Sequence, residues 1–254
     1  MILAVDAGNS NIVLGCMEGL EIRHTLRLKT DRAMSAAGYT VTLQAALAQA
    51  GFSVAGFEGG ILSSVVAAVT EPLRQALSAL LSGPVLVVGK TAKTTLPLCI
   101  DQPETIGADL IAAAEGALAQ YAPPLVLIDM GTATTFSVLD KSGAFLGGAI
   151  APGVQLGAEA LTQRTGLPMT ELSAPQSPLS HSTTDCLRSG IIYGAAAMVD
   201  GMLDRLETAL GTPVTAIATG GLARCVIPHC RRPVTLDDQL LLRGLAVMYR
   251  HEMT

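Results

Sequence analysis

Ile2-Leu-Ala-Val-Asp6-Ala-Gly8-Asn9-Ser10-Asn11, at the start of a 254-residue chain, has a counterpart near the middle: Leu125-Val-Leu-Ile-Asp129-Met-Gly131-Thr132-Ala-Thr134-Thr135. Each is an apolar run that reads as a buried strand, closed by an aspartate and a glycine and succeeded by small amide or hydroxyl side chains. Glycine lets a backbone approach a ligand closely, and Asn, Ser and Thr hydrogen-bond to oxygens. Two such turns facing each other suit a nucleotide. The segment after each turn decides the fold. A phosphate loop of the Walker kind opens a helix, whereas Ile12-Val-Leu-Gly-Cys16 and Phe136-Ser-Val-Leu139 read as returning strands, so both motifs are hairpins.

A strand, an Asp-x-Gly turn and a hairpin, repeated in two halves of one chain, suggest the architecture shared by sugar kinases, actin and heat-shock ATPases. That architecture is α/β, with duplicated actin-like, ribonuclease H-like lobes and ATP and a metal in a central cleft. The expected lobes are residues 1–122 and 123–254, divided at Pro123-Pro124. Between the hairpins, Glu21 to Thr30 reads as a third strand, Tyr39 to Ala50 and Glu71 to Leu81 as helices, and Ile61 to Val66 and Pro84 to Val88 as short strands. This strand and helix alternation is the sign of a partly parallel sheet. Gly83-Pro-Val-Leu-Val-Val-Gly89-Lys90-Thr91 imitates a Walker loop, but one residue too many separates its glycines.

Further along, Gly107-Ala108-Asp109-Leu110 leads into an Ala-rich helical stretch, Ile111 to Tyr121. Asp109 is thereby placed near a helix N-terminus, which favours its ionised form. Spacing alone favours a carboxylate that caps or complements the helix dipole over a catalytic one. In the second half, Phe145 to Gly153 reads as a tight glycine turn entering a helix over Val154 to Thr165. A long helix is expected from Thr183 or Thr184 to about Leu210. Ala216-Ile-Ala-Thr219-Gly220-Gly221 repeats the strand-then-glycine theme and leaves room for a flat adenine or ribose.

Composition narrows the class. Half the residues are hydrophobic, aromatics make up 3% and tryptophan is absent, so the core is aliphatic and large enough for two lobes. The net charge of −5, without a dense run of Lys and Arg, argues against a nucleic-acid or anionic-membrane partner and for a small molecule. No long apolar run or basic leader is visible, and the expectation is a cytoplasmic protein. Cys16, Cys99, Cys186, Cys225 and Cys230 lack regular spacing and fit reduced thiols; Cys225, His229 and Cys230 fall short of a paired zinc set.

The ordered set Asp6-Ala7-Gly8-Asn9-Ser10, Gly107-Ala108-Asp109, Asp129-x-Gly131-Thr132-Ala133-x-Thr135, Gly147-Gly148-x-Ile150-x-Pro152-Gly153 and Thr219-Gly220-Gly221 resembles the type III pantothenate kinases from end to end. The resemblance implies a homodimer that transfers the γ-phosphoryl group of ATP to the 4′-hydroxyl of pantothenate, the first step of coenzyme A synthesis. It also implies Mg²⁺ and a monovalent cation, K⁺ or NH₄⁺. Asp6, Ala7, Gly8, Asn9, Ser10, Asn11, Ile12 and Val13 would hold ATP, with Gly131 and Thr132; Asp6 would also position the metal, and Asp129 would ligate the monovalent cation. Asp109 would take the hydroxyl proton, and Gly107, Ala108, Asp109 and Thr183, rather than Thr184, would touch pantothenate. The chain departs from the family pattern on the acceptor side: Leu110 stands where the family has Arg, Ile100 where it has Tyr, and Ser180 and Ser182 where it has Gly and Asn. Those departures leave room for an ATP-binding paralogue with little kinase activity, or a kinase of another small alcohol.

Overall fold

The computed structural model describes residues 1–168 and 170–254, and the chain divides into two units. The first comprises Met1–Leu96, Asp101–Gln120 and Gln239–Thr254; the second comprises Pro97–Ile100 and Tyr121–Asp238.

In the first unit β1 (Ile2–Ala7), β2 (Asn11–Glu18) and β3 (Glu21–Lys29) form an antiparallel meander. After them come α1 (Ala36–Gln49), β4 (Gly59–Ser64), α2 (Ala67–Leu80), β5 (Val85–Val87) and α3 (Ala108–Leu118). The sheet order is β3-β2-β1-β4-β5, with β4 parallel to β1. The Walker-like stretch is thus mostly strand β5 and the turn after it.

The second unit repeats the plan. β6 (Leu125–Met130), β7 (Ala133–Leu139) and β8 (Phe145–Pro152) form its meander, and α4 (Val154–Thr165), α5 (Thr183–Leu210), β9 (Thr215–Thr219), the short α6 (Ala223–Val226) and β10 (Thr235–Leu236) complete it. Its order, β10-β9-β6-β7-β8, matches the first sheet strand for strand, with β9 parallel to β6. The repeated hairpins occupy equivalent places because each central strand pairs with the strand its glycine turn sends back.

Side-chain alternation fixes which face each aspartate shares. Leu3, Val5 and Ala7 of β1 enter an apolar cluster with Leu43, Leu47, Val69, Leu73 and Leu77 of α1 and α2. Ile2 and Ala4 enter a separate cluster with Ile111 and Ala112 of α3 and with Leu242, Leu245 and Ala246 of the last helix, α7 (Leu240–Met253). By the two-residue period of a strand, Asp6 continues this second row.

Two features differ from the linear reading. The segment from Phe145 is no tight turn: it is strand β8, antiparallel to β7, and its glycines serve close strand approach. A Cβ on Gly148 would lie 1.6 Å from the Phe136 carbonyl oxygen, and Gly147 takes φ +99° beside a register shift in the pairing. Helix α7, counted with the second half on sequence position, belongs to the first unit, because Gly116 of α3 and Gly244 of α7 let the two helices touch backbone to backbone. A Cβ at these positions would meet Leu240 O at 2.0 Å and Ala112 O at 1.7 Å.

Candidate active site

The first hairpin is a braced turn. The Gly8 N–H donates to Asn11 O (2.9 Å), and the residue that follows β3 supports it from the side: Thr30 donates its hydroxyl to Gly8 O (2.7 Å) and its N–H to Ser10 O (3.1 Å). Arg32 donates to Asn9 Oδ1 (2.9 Å). Ala7 and Ile12 are buried and fix the turn to the sheet, Gly8, Asn11 and Val13 are partly covered, and Asn9 and Ser10 reach solvent. Asp6 is half-buried, and the fully buried Ser63 of β4, its register partner, donates its hydroxyl to Asp6 Oδ1 at 3.0 Å. That bond fixes one carboxylate oxygen and stabilises its charge.

Gly107, Ala108 and Asp109 form the entry to α3 in the same unit. Gly107 is the N-cap and Asp109 lies in the first turn. The Asp109 carboxylate folds back over the helix start, where the Leu110 N–H donates to its Oδ1 at 2.8 Å. Gly107 makes that pose possible, since a Cβ there would stand 2.4 Å from the same oxygen. Burial pushes the Asp109 pKa above the usual carboxylate range, against the pull of backbone N–H groups. Ile106 and Ala108 pack into the cluster that holds Ala4 and Val13, and Val13 is the cross-strand partner of Asp6. The α3 entry and the first hairpin therefore meet on one face of one sheet.

In the second unit three glycines surround the β6–β7 turn. Gly131 donates its N–H to Ala133 O (3.0 Å). Gly153, the N-cap of α4, lies against the turn, where a Cβ would meet Thr132 O at 2.1 Å. Gly220, at φ +95°, closes over Asp129: a Cβ there would be 2.5 Å from Asp129 Oδ1 and 2.6 Å from Met130 N. Asp129 is half-buried and Thr132 exposed. Opposite Asp129 in the register stands Thr135, whose Oγ1 is buried with no hydrogen-bond partner, and Thr219 flanks Asp129 on the other side.

Thr183 is the first residue of α5. Ser182 caps that helix by accepting the Asp185 N–H at 3.1 Å, and both Thr183 and Thr184 are exposed. The two departing positions lie in different units: Leu110 beside Asp109 in the first, Ile100 in the second, near Gly147 of β8. Cys230, one of the three residues of the compressed Cys/His set, is a poor ligand as it stands, for burial pushes its thiol up to about 12. Sequence reasoning does not single out Ser63 or Thr30, and it places Thr135 in the second motif without assigning it a role. Ser63 has a signal, a serine pair ending the buried run Gly-Gly-Ile-Leu-Ser-Ser. Thr30 has none, because its contact spans 22 positions.

A family model described as type III pantothenate kinase matches residues 2–205. The chain belongs to the type III pantothenate kinase family. It is 38% identical over 250 residues to a type III pantothenate kinase from an Exiguobacterium strain, covering 98% of each chain. Among solved structures it resembles component A of (R)-2-hydroxyglutaryl-CoA dehydratase from Acidaminococcus fermentans, with TM-score 0.61, 13% identity, and 100% and 99% of the two chains covered. It also resembles a ROK hexokinase from Thermus thermophilus, with TM-score 0.54, 14% identity, and 98% and 99% covered. At such identities these two speak for the fold alone, the actin-like α/β class expected from the duplicated hairpins. The activity is that of a type III pantothenate kinase, the ATP-dependent phosphorylation of pantothenate to 4′-phosphopantothenate at the head of coenzyme A synthesis. No helix among the described residues is long and apolar enough to cross a membrane.

Proposed function

We propose that Asp109 is the base of this kinase, taking the proton of the pantothenate 4′-hydroxyl as its oxygen attacks the γ-phosphorus of ATP. The observation that carries this is the carboxylate held at the α3 N-terminus with a raised proton affinity, on the sheet face that also bears Asp6. A carboxylate made more basic by burial is better matched to a hydroxyl proton than an exposed one, and such a base contributes about 10²–10⁴-fold. The remaining work is positioning and charge stabilisation. Asp6 to Val13 hold ATP phosphates around the Gly8 turn, and Gly131 and Thr132 contact ATP from the second hairpin. Gly107 and Ala108 line the acceptor beside Asp109, with Thr183 touching pantothenate.

Two ions enter this reading. Mg²⁺ binds through one or two carboxylates with phosphate oxygens and water, which suits Asp6, a lone carboxylate oriented by Ser63. When bound, it would neutralise charge on the transferring phosphoryl group. A monovalent cation, K⁺ or NH₄⁺, suits an all-oxygen set, and Asp129 beside the unpartnered Thr135 hydroxyl is of that kind.

A homodimer is the proposed assembly. The surface supporting it is a groove between α4 and α5, about 450 Å³, lined by Leu161, Leu187 and Met198 and by Gly157, Gly190 and Gly194, beside which nothing lies within 4 Å of a built Cβ. The deciding assay couples ADP release to an optical signal with Mg²⁺ and K⁺ present, with and without pantothenate. Turnover dependent on pantothenate and abolished by Asp109→Ala is expected. Unchanged turnover in that variant would remove Asp109 from the mechanism.

A further inference from the structure

The first unit carries a cavity at the other end of β1 from Asp6, open at its mouth and about 490 Å³ in volume. Ile2, in its wall, is four residues from Asp6 on an extended strand, or about 13 Å. Ile2, Met17, Pro84 and Met253 make its apolar walls, and Tyr249 and Arg250 of α7 supply polar groups beside Glu58 and Thr254, which also line it. The volume is that of a small-molecule pocket, and apolar walls with a few convergent polar groups are the usual composition of one.

Tyr249 is 5% exposed, and its hydroxyl, at the cavity wall, makes no hydrogen bond among the described residues. The side chain reaches its place because residue 59 is glycine: a Cβ there would lie 2.1 Å from the hydroxyl oxygen. Burial, with the Glu58 carboxylate close by, pushes the phenol pKa up, so it remains a hydrogen-bond donor. Arg250 lies over the Gly19 turn, its Nη2 3.0 Å from where a Cβ would stand, and it makes no ion pair among the described residues. The neighbouring acid, Glu58, faces the amino group of Met1 at 3.8 Å. A phenol donor at the cavity wall and an exposed guanidinium, neither of them hydrogen-bonded or ion-paired through its side chain among the described residues, thus converge on one apolar-walled cavity, where both are free to hold a ligand.

We propose that this cavity binds a small amphiphilic anion, with a carboxylate or phosphate on Arg250 and the Tyr249 hydroxyl and an aliphatic body against Ile2, Met17, Pro84 and Met253. Neither the phosphate-binding turns nor Asp109 contributes to it, so the proposal is independent of the kinase reading. The helix that lines the cavity also packs on the helix of Asp109: α7 touches α3 backbone to backbone at Gly244 and Gly116, and α3 carries Asp109 in its first turn.

The test is calorimetric titration and thermal melting of the whole protein with octanoate, octyl phosphate and octanol as probes. At least one of the two anions should bind with one site per chain and raise the melting temperature, with octanol at least about tenfold weaker. Arg250→Ala and Tyr249→Phe should each weaken the anion at least about tenfold while leaving pantothenate turnover unchanged in the absence of probe. A preference for octanoate would identify a carboxylate ligand, the reverse a phosphate ester. Absence of binding by both anions up to about 5 mM, or binding that neither substitution alters, would overturn the proposal.

Discussion

Replacing Gly107 with alanine separates the chemistry of Asp109 from its fold. Gly107 caps α3 at φ −63° and ψ 137°, a conformation open to any residue, so alanine introduces no backbone strain. Its Cβ, however, would stand 2.4 Å from Asp109 Oδ1, and the carboxylate must retreat by about 0.6 Å or more to restore a normal contact. The carboxylate is the end of a flexible side chain, so the fold yields cheaply. The bond from the Leu110 N–H, net about 1 kcal/mol, is weakened, while alanine returns about 0.4–1 kcal/mol by restricting the unfolded chain. Catalysis does not yield cheaply, since a misplacement of about 1 Å at a reacting group costs on the order of 10²-fold. The expectation is therefore a melting temperature within a few degrees of the parent and kcat reduced roughly 30- to 100-fold. The KM for ATP should be unchanged, because the Gly8 turn is untouched. Pantothenate-dependent ADP release at saturating ATP, beside a thermal melt, measures both. A Gly107→Ala enzyme with kcat within about threefold of the parent would refute the claim that this pose of Asp109 is the working one.

The same geometry sets three other expectations. The folded state holds the Asp109 proton more tightly than the unfolded chain does, so its contribution to stability is complete below the ordinary carboxylate pKa and is lost as pH rises through the raised value. Asp109→Asn should therefore melt higher than the parent at about pH 8, with the gain shrinking toward about pH 4, while turnover is lost; a constant difference across pH would contradict the burial argument. Thr135→Val removes a buried hydroxyl that has no partner, so the cation-free protein should be no less stable, and the rise in melting temperature produced by K⁺ over Na⁺ should disappear; an undiminished K⁺ effect would exclude Thr135 from the cation site. Gly244→Ala drives a methyl into the Ala112 carbonyl, a backbone atom that cannot swing aside, and should cost at least about 2 kcal/mol, read as a lower urea midpoint; parity with the parent would mean that α3 and α7 separate more easily than their packing suggests.

The sequence makes legible whatever a short window encodes. Asp6 and Gly8, like Asp129 and Gly131, are near neighbours in the chain, and the strands on either side declare themselves by composition, so the duplicated hairpins are read directly. Helices α4 and α5 are equally plain, the first entered through Gly153 and the second capped by Ser182. Glycines mislead wherever their purpose is tertiary. Gly148 reads as part of a turn because a glycine pair usually is one, yet it lets β8 lie against Phe136. Of the pair read as room for a base or ribose, Gly220 closes against the Asp129 carboxylate, while a Cβ on Gly221 would meet open space. Gly244 looks like an ordinary helix interruption until Gly116, more than a hundred positions away, is found facing it. A linear reading sees that a side chain is missing; only the fold shows which atom occupies the space.

Leu110 gives the most discriminating experiment, because the departure from the family pattern acts on two properties in opposite directions. On the proposed reading, an arginine at this position could form a charge-assisted hydrogen bond with the acceptor, and leucine cannot, so weaker pantothenate binding is the expected consequence. A guanidinium beside Asp109 would also favour the charged carboxylate and draw its pKa down, whereas leucine leaves desolvation as the leading influence and the pKa raised. The chain thus has a more basic Asp109 and a less charged acceptor site. Leu110→Arg should lower the KM for pantothenate by about tenfold or more. It should also move the acidic limb of the kcat/KM profile to lower pH, since that limb tracks ionisation of the base in the free enzyme. The two readouts separate the causes. A lower KM with an unmoved acidic limb would mean that the introduced guanidinium reaches substrate without sensing Asp109, and the account of the raised pKa would fail. A shifted limb with KM unchanged would show that the acceptor's anionic group is held elsewhere, and that Leu110 tunes the base alone.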